Sequence, residues 1–132
     1  MPLNDSLQGK TYPSVAFVVD EGRVTAFAGA VGFAGRGVPP TFATAPEVAA
    51  GLSNVIADPE LGLDLANVLH GEQEYAWARP LRVGEIIQAE ATIESIRGRG
   101  SMRFLTLLTL LRDGDGETVV TARSTLIVRG GE

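Results

Sequence analysis

His70 is the only histidine of the 132-residue chain, and no cysteine accompanies it. Any imidazole acting as a general base must therefore be His70, the one side chain here that ordinarily titrates near neutrality. Glu72 and Glu74 follow it at alternate positions. Alternate side chains of an extended strand share a face, so Glu72 would orient the ring, raise its basicity and help it activate a water. The competing reading is a polar sheet residue satisfied by a neighbour or by solvent. The two carboxylates, about 7 Å apart at alternate strand positions, either share a water or are ordinary solvated side chains. Gln73, Tyr75, Trp77 and Arg79 fall on the opposite face. Tyr75 and Trp77 suit a core or an interface, and they would equally line an apolar tunnel.

Arg79, Arg82, Arg97, Arg99 and Arg103 lie near expected strand ends and turns. Gly98 to Arg103 reads GRGSMR, whose guanidinium and backbone N–H groups would suit a phosphate, with Arg99 and Arg103 as its contacts. Solvated surface arginines are the alternative. No G-x-x-x-x-G-K-[ST] loop occurs. One histidine and no cysteine leave only carboxylates for a metal, so neither a metal nor a cofactor is expected. The absence of cysteine also excludes disulfides and thiolate nucleophiles. Eleven basic against sixteen acidic residues give a net charge of −5, with the cations scattered, which argues against nucleic acid as a partner. No apolar run approaches the ~18 residues of a membrane span and the N-terminus is not signal-like, so a cytoplasmic protein with no membrane partner is expected.

The element that must position these groups runs from Pro40 to Asp58. Phe42, Ala45, Ala49, Leu52 and Ile56 recur at helical spacing, widened by Val48 and Val55. Thr44 and Glu47 form a capping-box pattern with Pro46 in the first turn, so a regular helix is expected from about Ala45, after a lead-in turn over Pro40 to Thr44. Ala49, Ala50, Gly51 and Ser53 leave room for a sheet to approach. Before this helix, Met1 to Lys10 reads as an arm or turn and Tyr12 to Val19 as a short strand. Asp20 caps a helix running to about Val31 and ended by Gly32, and Gly32 to Pro40 is a glycine- and proline-rich loop.

After the connector Pro59 to Asn67 come four strand-like segments: Val68 to Arg79, Glu85 to Arg97, Ser101 to Asp113 and Thr118 to Arg129. Their short separators predict an antiparallel meander. Ile87, Ala89, Ala91 and Ile93 alternate with polar residues, as in a half-buried strand. The next segment is apolar on both faces, with Met102, Phe104, Leu108 and Leu110 on one and Leu105, Leu107 and Leu111 on the other. The central helix covers one face, and a partner subunit or the N-terminal helix must cover the second.

Strand, helix, long helix and four antiparallel strands make an α+β architecture in which the sheet wraps a central helix, the hotdog fold, expected here as a single domain over residues 1–132. Four stretches resemble the FAS1-like dehydratase domain of the MaoC group: GKTYP at Gly9 to Pro13, VTAFAGAVG at Val24 to Gly32, VPPTFA at Val38 to Ala43 and, most specific, LHGEQEYAWARPLRVGE at Leu69 to Glu85. The resemblance implies an (R)-specific enoyl-thioester hydratase or β-hydroxyacyl dehydratase. Such enzymes use an Asp and a His in a G-D-x-N-P-x-H motif after the first helix, and Gly32 to Pro40 contains no Asp, Asn or His. The resemblance therefore implies the half of a hotdog pair that holds an acyl-CoA or acyl-ACP thioester while a catalytic hotdog subunit does the chemistry. Pro40, Thr41 and Phe42 would meet the thioester or acyl chain. A homodimer would imitate the heterodimer. Two further readings stay open: an acyl-CoA thioesterase using His70 with Glu72 or Glu74, and a non-enzymatic dimeric acyl binder.

Overall fold

The structure is a computed structural model that describes residues 3–129. One five-stranded antiparallel sheet runs in the order β1 (Val15–Val18), β3 (Ile86–Arg99), β4 (Met102–Arg112), β5 (Thr118–Arg129), β2 (Val68–Trp77). The expected hairpins β3–β4 and β4–β5 form, their turns closed by Gly100 and Gly116 at positive φ. The meander expectation fails at its first link. β2 pairs with β5 at the far edge instead of with β3. The reason is the length and chemistry of Ala78 to Glu85. Ala78 N–H still bonds the Val119 carbonyl (2.8 Å), whereas Gly84 N–H bonds Val19 and Val19 N–H bonds Glu85, so this link crosses the whole sheet. Arg79 holds the crossing in place, with Glu85 at 2.8 Å and Asp113 at 3.3 Å.

β1 is shorter than expected, because the chain approaches it as an arm along β3. Tyr12 N–H bonds Ala91 and Gly9 N–H bonds Ile93 (2.8 and 2.7 Å). The helix α1 (Glu21–Val31) has the expected cap, Asp20 accepting from Arg23 N–H at 3.0 Å, and Gly32 ends it at φ 74°.

The central helix spans the expected residues but is not regular. A 3₁₀ turn, Pro40–Ala43, leads through Thr44–Pro46 into a π turn, Glu47–Gly51, and then an α-helical end, Leu52–Ala57. Pro46 has no N–H to return to the preceding turn, and Leu52 N–H reaches back five residues to the Glu47 carbonyl. The expected capping box is absent. Thr44 and Glu47 both turn to the sheet, where their side chains bond Tyr75.

Inward residues of β3, β4 and β5 pack on this helix in two apolar clusters. The first gathers Phe17, Val24, Phe42, Leu81, Ile87 and Leu111. The second gathers Tyr12, Val55, Leu61, Ile93, Leu105 and Leu107. Among the described residues, the outer face of β4 receives neither helix nor strand. Leu108 and Leu110 are half-buried there, flanked by the ion-paired side chains Arg112–Glu90 (3.1 Å) and Arg123–Glu94 (2.7 Å). Long charged side chains screen apolar surface with their stems. α1 packs on the inner cluster, so it does not cover this face, and the ion-paired side chains leave Leu108 and Leu110 only half-buried.

Asp58, just past the central helix, ties down the arm. It accepts from Lys10 Nζ and the Tyr12 hydroxyl, both at 2.7 Å, and its side chain is 6% exposed. These hydrogen bonds, Lys10 first and Tyr12 second, lower its carboxyl to about 2. A carboxyl held down in the folded state stabilises fully above its unfolded value near 4 and loses that contribution as pH falls toward 2. Asp58→Asn is expected to cost about 1–2 kcal/mol at pH 7. Urea melts of the two proteins should converge by about pH 2. A constant gap across that window would contradict the linkage.

Candidate functional site

The segment between α1 and the central helix, where the resembling enzymes carry acid and base, contains Arg36 as its only ionisable residue, and Arg36 is exposed. The sequence-derived candidates lie elsewhere and do not converge on one place.

His70 and Glu72 are parted by a β-bulge at Gly71. His70 is registered opposite Leu126, a buried residue, and Glu72 opposite Thr125, on the other face. A Cβ at position 71 would lie 2.9 Å from Ile127 Cδ1, so a larger residue there would have to push the Ile127 side chain aside. The exposed His70 ring reaches the Glu72 backbone carbonyl at 3.1 Å, not its carboxylate. Glu74 pairs with Arg123 at 3.6 Å. The shared face expected for His70, Glu72 and Glu74 is thus broken by one inserted residue.

Pro40 and Trp77 are brought together. Trp77 Nε1–H donates to the Pro40 carbonyl at 3.1 Å, and with Pro39, Pro80 and Leu81 they line an apolar recess of about 230 Å³ at the start of the central helix. Tyr75 packs beside Trp77, ring centroids 5.6 Å apart. Thr41 is exposed next to Pro40. Phe42 is not at the recess. It is 1% exposed and lies edge-on to Phe17 and Phe27, so it belongs to the core.

Arg99 and Arg103 are not brought together either. Arg99, with Arg97, Glu72, Glu94 and Phe104, lines an open groove of about 960 Å³ on the outer face of the sheet. Arg103, registered opposite Gly98, pairs with Asp5 at 3.0 Å. Adjacent positions on a strand point to opposite faces, which separates Arg103 from its neighbours on the groove. Among the described residues no three His, Cys, Asp or Glu side chains converge as a metal would require. No helix there is long and apolar enough to cross a membrane.

Sequence reasoning missed the polar group at the centre of the fold. Glu47, 1% exposed, accepts from the Tyr75 hydroxyl (2.7 Å) and the Gln73 amide (3.1 Å) and lies 2.5 Å from Ser124 Oγ. Thr44 Oγ1 lies 2.6 Å from the Tyr75 hydroxyl. Burial holds the Tyr75 hydroxyl proton far above its ordinary range; the Thr44 hydrogen bond opposes this and the Glu47 carboxyl adds to it. One signal was available: Glu47 is the sole charge within an otherwise uncharged helix, and local capping explained it too readily. β2, which supplies Gln73 and Tyr75, is bonded on one side only among the described residues. Around that edge Leu69 and Trp77 are 58% and 42% exposed, and the central helix leaves Val48 45% exposed.

One helix wrapped by this antiparallel sheet, with an apolar recess at its N-terminal end, defines a hotdog protein. The chain belongs to the FAS1-like dehydratase family, whose domain model matches residues 23–122. It is 35% identical to a UPF0336 protein of Streptomyces coelicolor, over 100% of this chain and 99% of that one. In structure it is similar to a MaoC-like dehydratase (TM-score 0.81, 21% identity), covering 96% of this chain and 43% of that one. It is also similar to the HadBC (3R-hydroxyacyl-ACP dehydratase) complex of Mycobacterium tuberculosis (TM-score 0.77, 19% identity), covering 92% and 96%.

Proposed function

We propose that the chain is the thioester-holding half of a hotdog pair that hydrates enoyl thioesters or dehydrates (3R)-hydroxyacyl thioesters carried on CoA or an acyl-carrier protein. The observation that carries this reading is the loop from Gly32 to Pro40, which lacks any acid or base at the place where the family's chemistry needs one. His70, the other candidate base, sits on the edge strand β2 with one ring nitrogen on the Glu72 backbone carbonyl and no carboxylate against it. The recess beside Trp77 and Pro40 suits an apolar segment of the substrate. The free edge of β2, with exposed Leu69 and Trp77, suits a second hotdog subunit that adds its own sheet. That partner would bring the Asp and His, and a homodimer would be an inactive substitute. On this reading the chain works in the cytoplasm, where such thioesters are turned over. No observation favours the thioesterase alternative.

The test is hydration of crotonyl-CoA and of a longer trans-2-enoyl-CoA by the purified chain, with released thiol followed in parallel. Neither reaction is expected from the chain alone. Mixing with a hotdog subunit that carries the Asp and His motif should raise hydration at least ~10²-fold above that subunit alone, the scale of positioned acid–base chemistry. Hydration by the chain alone that His70→Ala abolishes would overturn the reading.

A further inference from the structure

The contacts around Glu47 are short of hydrogens if its carboxyl is ionised. Three atoms or groups form a closed triangle. Glu47 Oε2 lies 2.5 Å from Ser124 Oγ, Ser124 Oγ lies 2.8 Å from Gln73 Oε1, and Gln73 Nε2 lies 3.1 Å from Glu47 Oε2. Each edge requires one hydrogen. The Ser124 hydroxyl has one, and the Gln73 amide supplies one on its edge. With a carboxylate, a serine donating to Glu47 leaves two oxygens, Ser124 Oγ and Gln73 Oε1, facing each other at 2.8 Å. A serine donating to Gln73 leaves the same conflict at 2.5 Å against Glu47. Turning the Gln73 amide over moves the opposed pair to the third and longest edge, where Gln73 Oε1 faces Glu47 Oε2 at 3.1 Å.

A hydrogen on Glu47 Oε2 resolves every contact. Oε2–H donates to Ser124 Oγ, Ser124 O–H donates to Gln73 Oε1, and Gln73 N–H returns to Oε2. Tyr75 O–H donates to Oε1, and Thr44 O–H donates to Tyr75. Burial points the same way. No Lys, Arg or His contacts Glu47 among the described residues, and a neutral acid costs far less to enclose than an unpaired carboxylate. The neighbours that reach it are Gln73 and Tyr75 from β2 and Ser124 from β5, and none of them carries a charge.

We propose that Glu47 is a positioning residue that retains its own hydrogen on Oε2, so that the carboxylic acid fixes Gln73 and Tyr75 on the inner face of the free-edge strand β2. Tyr75 in turn backs Trp77 in the apolar recess. Only the description of that recess as an acyl site rests on the function proposed above.

Infrared spectroscopy of the isolated chain at pH 7 tests this without substrate or partner, so its outcome is independent of any hydration assay. A protonated-carboxyl C=O band, shifted in D₂O and absent from Glu47→Gln, is expected. Glu47→Gln offers an N–H to Ser124 in place of the O–H and keeps the acceptor for Tyr75, but its NH₂ cannot accept from Gln73, so its Tm should fall by less than that of Glu47→Ala. Glu47→Ala should melt several degrees lower. A wild-type spectrum without the band overturns the proposal even if neither variant folds. So does a Glu47→Gln protein that melts as low as Glu47→Ala.

Discussion

Phe42→Ala is expected to lower the free energy of unfolding by about 3–5 kcal/mol, the range for deleting a buried aromatic ring. The ring is 1% exposed and joins three elements. Its centroid lies 6.3 Å from Phe17 of β1 at 61° and 5.5 Å from Phe27 of α1 at 89°, both edge-on. Phe42 N–H also bonds the Pro39 carbonyl at 2.9 Å, so the ring anchors the turn into the central helix. A domain of this kind has about 5–15 kcal/mol of stability in all, and the variant should sit close to the folding threshold. The check is a urea melt, in which the midpoint should fall while the slope is unchanged. Phe42→Leu, which keeps most of the volume, should lose much less. A variant that kept its midpoint but bound acyl thioesters less tightly would return Phe42 to the substrate site.

Gly51→Ala should cost about 1–3 kcal/mol, as overpacking does in a filled core. A Cβ at Gly51 would lie 2.7 Å from Thr109 Cγ2, closer than real carbons approach. Neither partner yields easily. Gly51 ends the π turn, and Thr109 is fully buried in the middle of β4. Removing the obstruction identifies the cause. In Thr109→Ala the methyl and the hydroxyl both leave, and the remaining Cβ stands 3.7 Å away, an ordinary contact. Thr109→Ala by itself should be mild, because the Thr109 hydroxyl is buried with no hydrogen-bond partner among the described residues. The double variant should be more stable than the sum of the single losses predicts, by about 1–2 kcal/mol. Strict additivity in a denaturation cycle would show that the helix and β4 do not meet there.

Both variants concern the place where helix and sheet touch, and that contact was only partly legible in the chain. The small residues from Ala49 to Ser53 did announce a close approach. They did not announce that Glu47, two residues earlier and in a capping pattern, would abandon its cap for Tyr75, Gln73 and Ser124. A cap is one hydrogen bond among neighbours in sequence. The alternative needs partners 26, 28 and 77 residues away, which no local pattern contains.

The local rules read well where they act locally. Alternation identified the inward face of β3, glycine turns identified the β3–β4 and β4–β5 hairpins, and Asp20 and Gly32 bounded α1. The sequence by itself also determined that the loop before the central helix holds no acid–base pair, since composition alone decides that. Tertiary structure decided the rest. β2 went to the far edge because its link is long enough to cross the sheet, and the bulge at Gly71 placed His70 and Glu72 on different faces. Phe42 became core because β1 and α1 both close on it. Strand order, register and the choice between a buried and an open position depend on contacts distant in sequence, and these form only when the whole sheet closes around its helix.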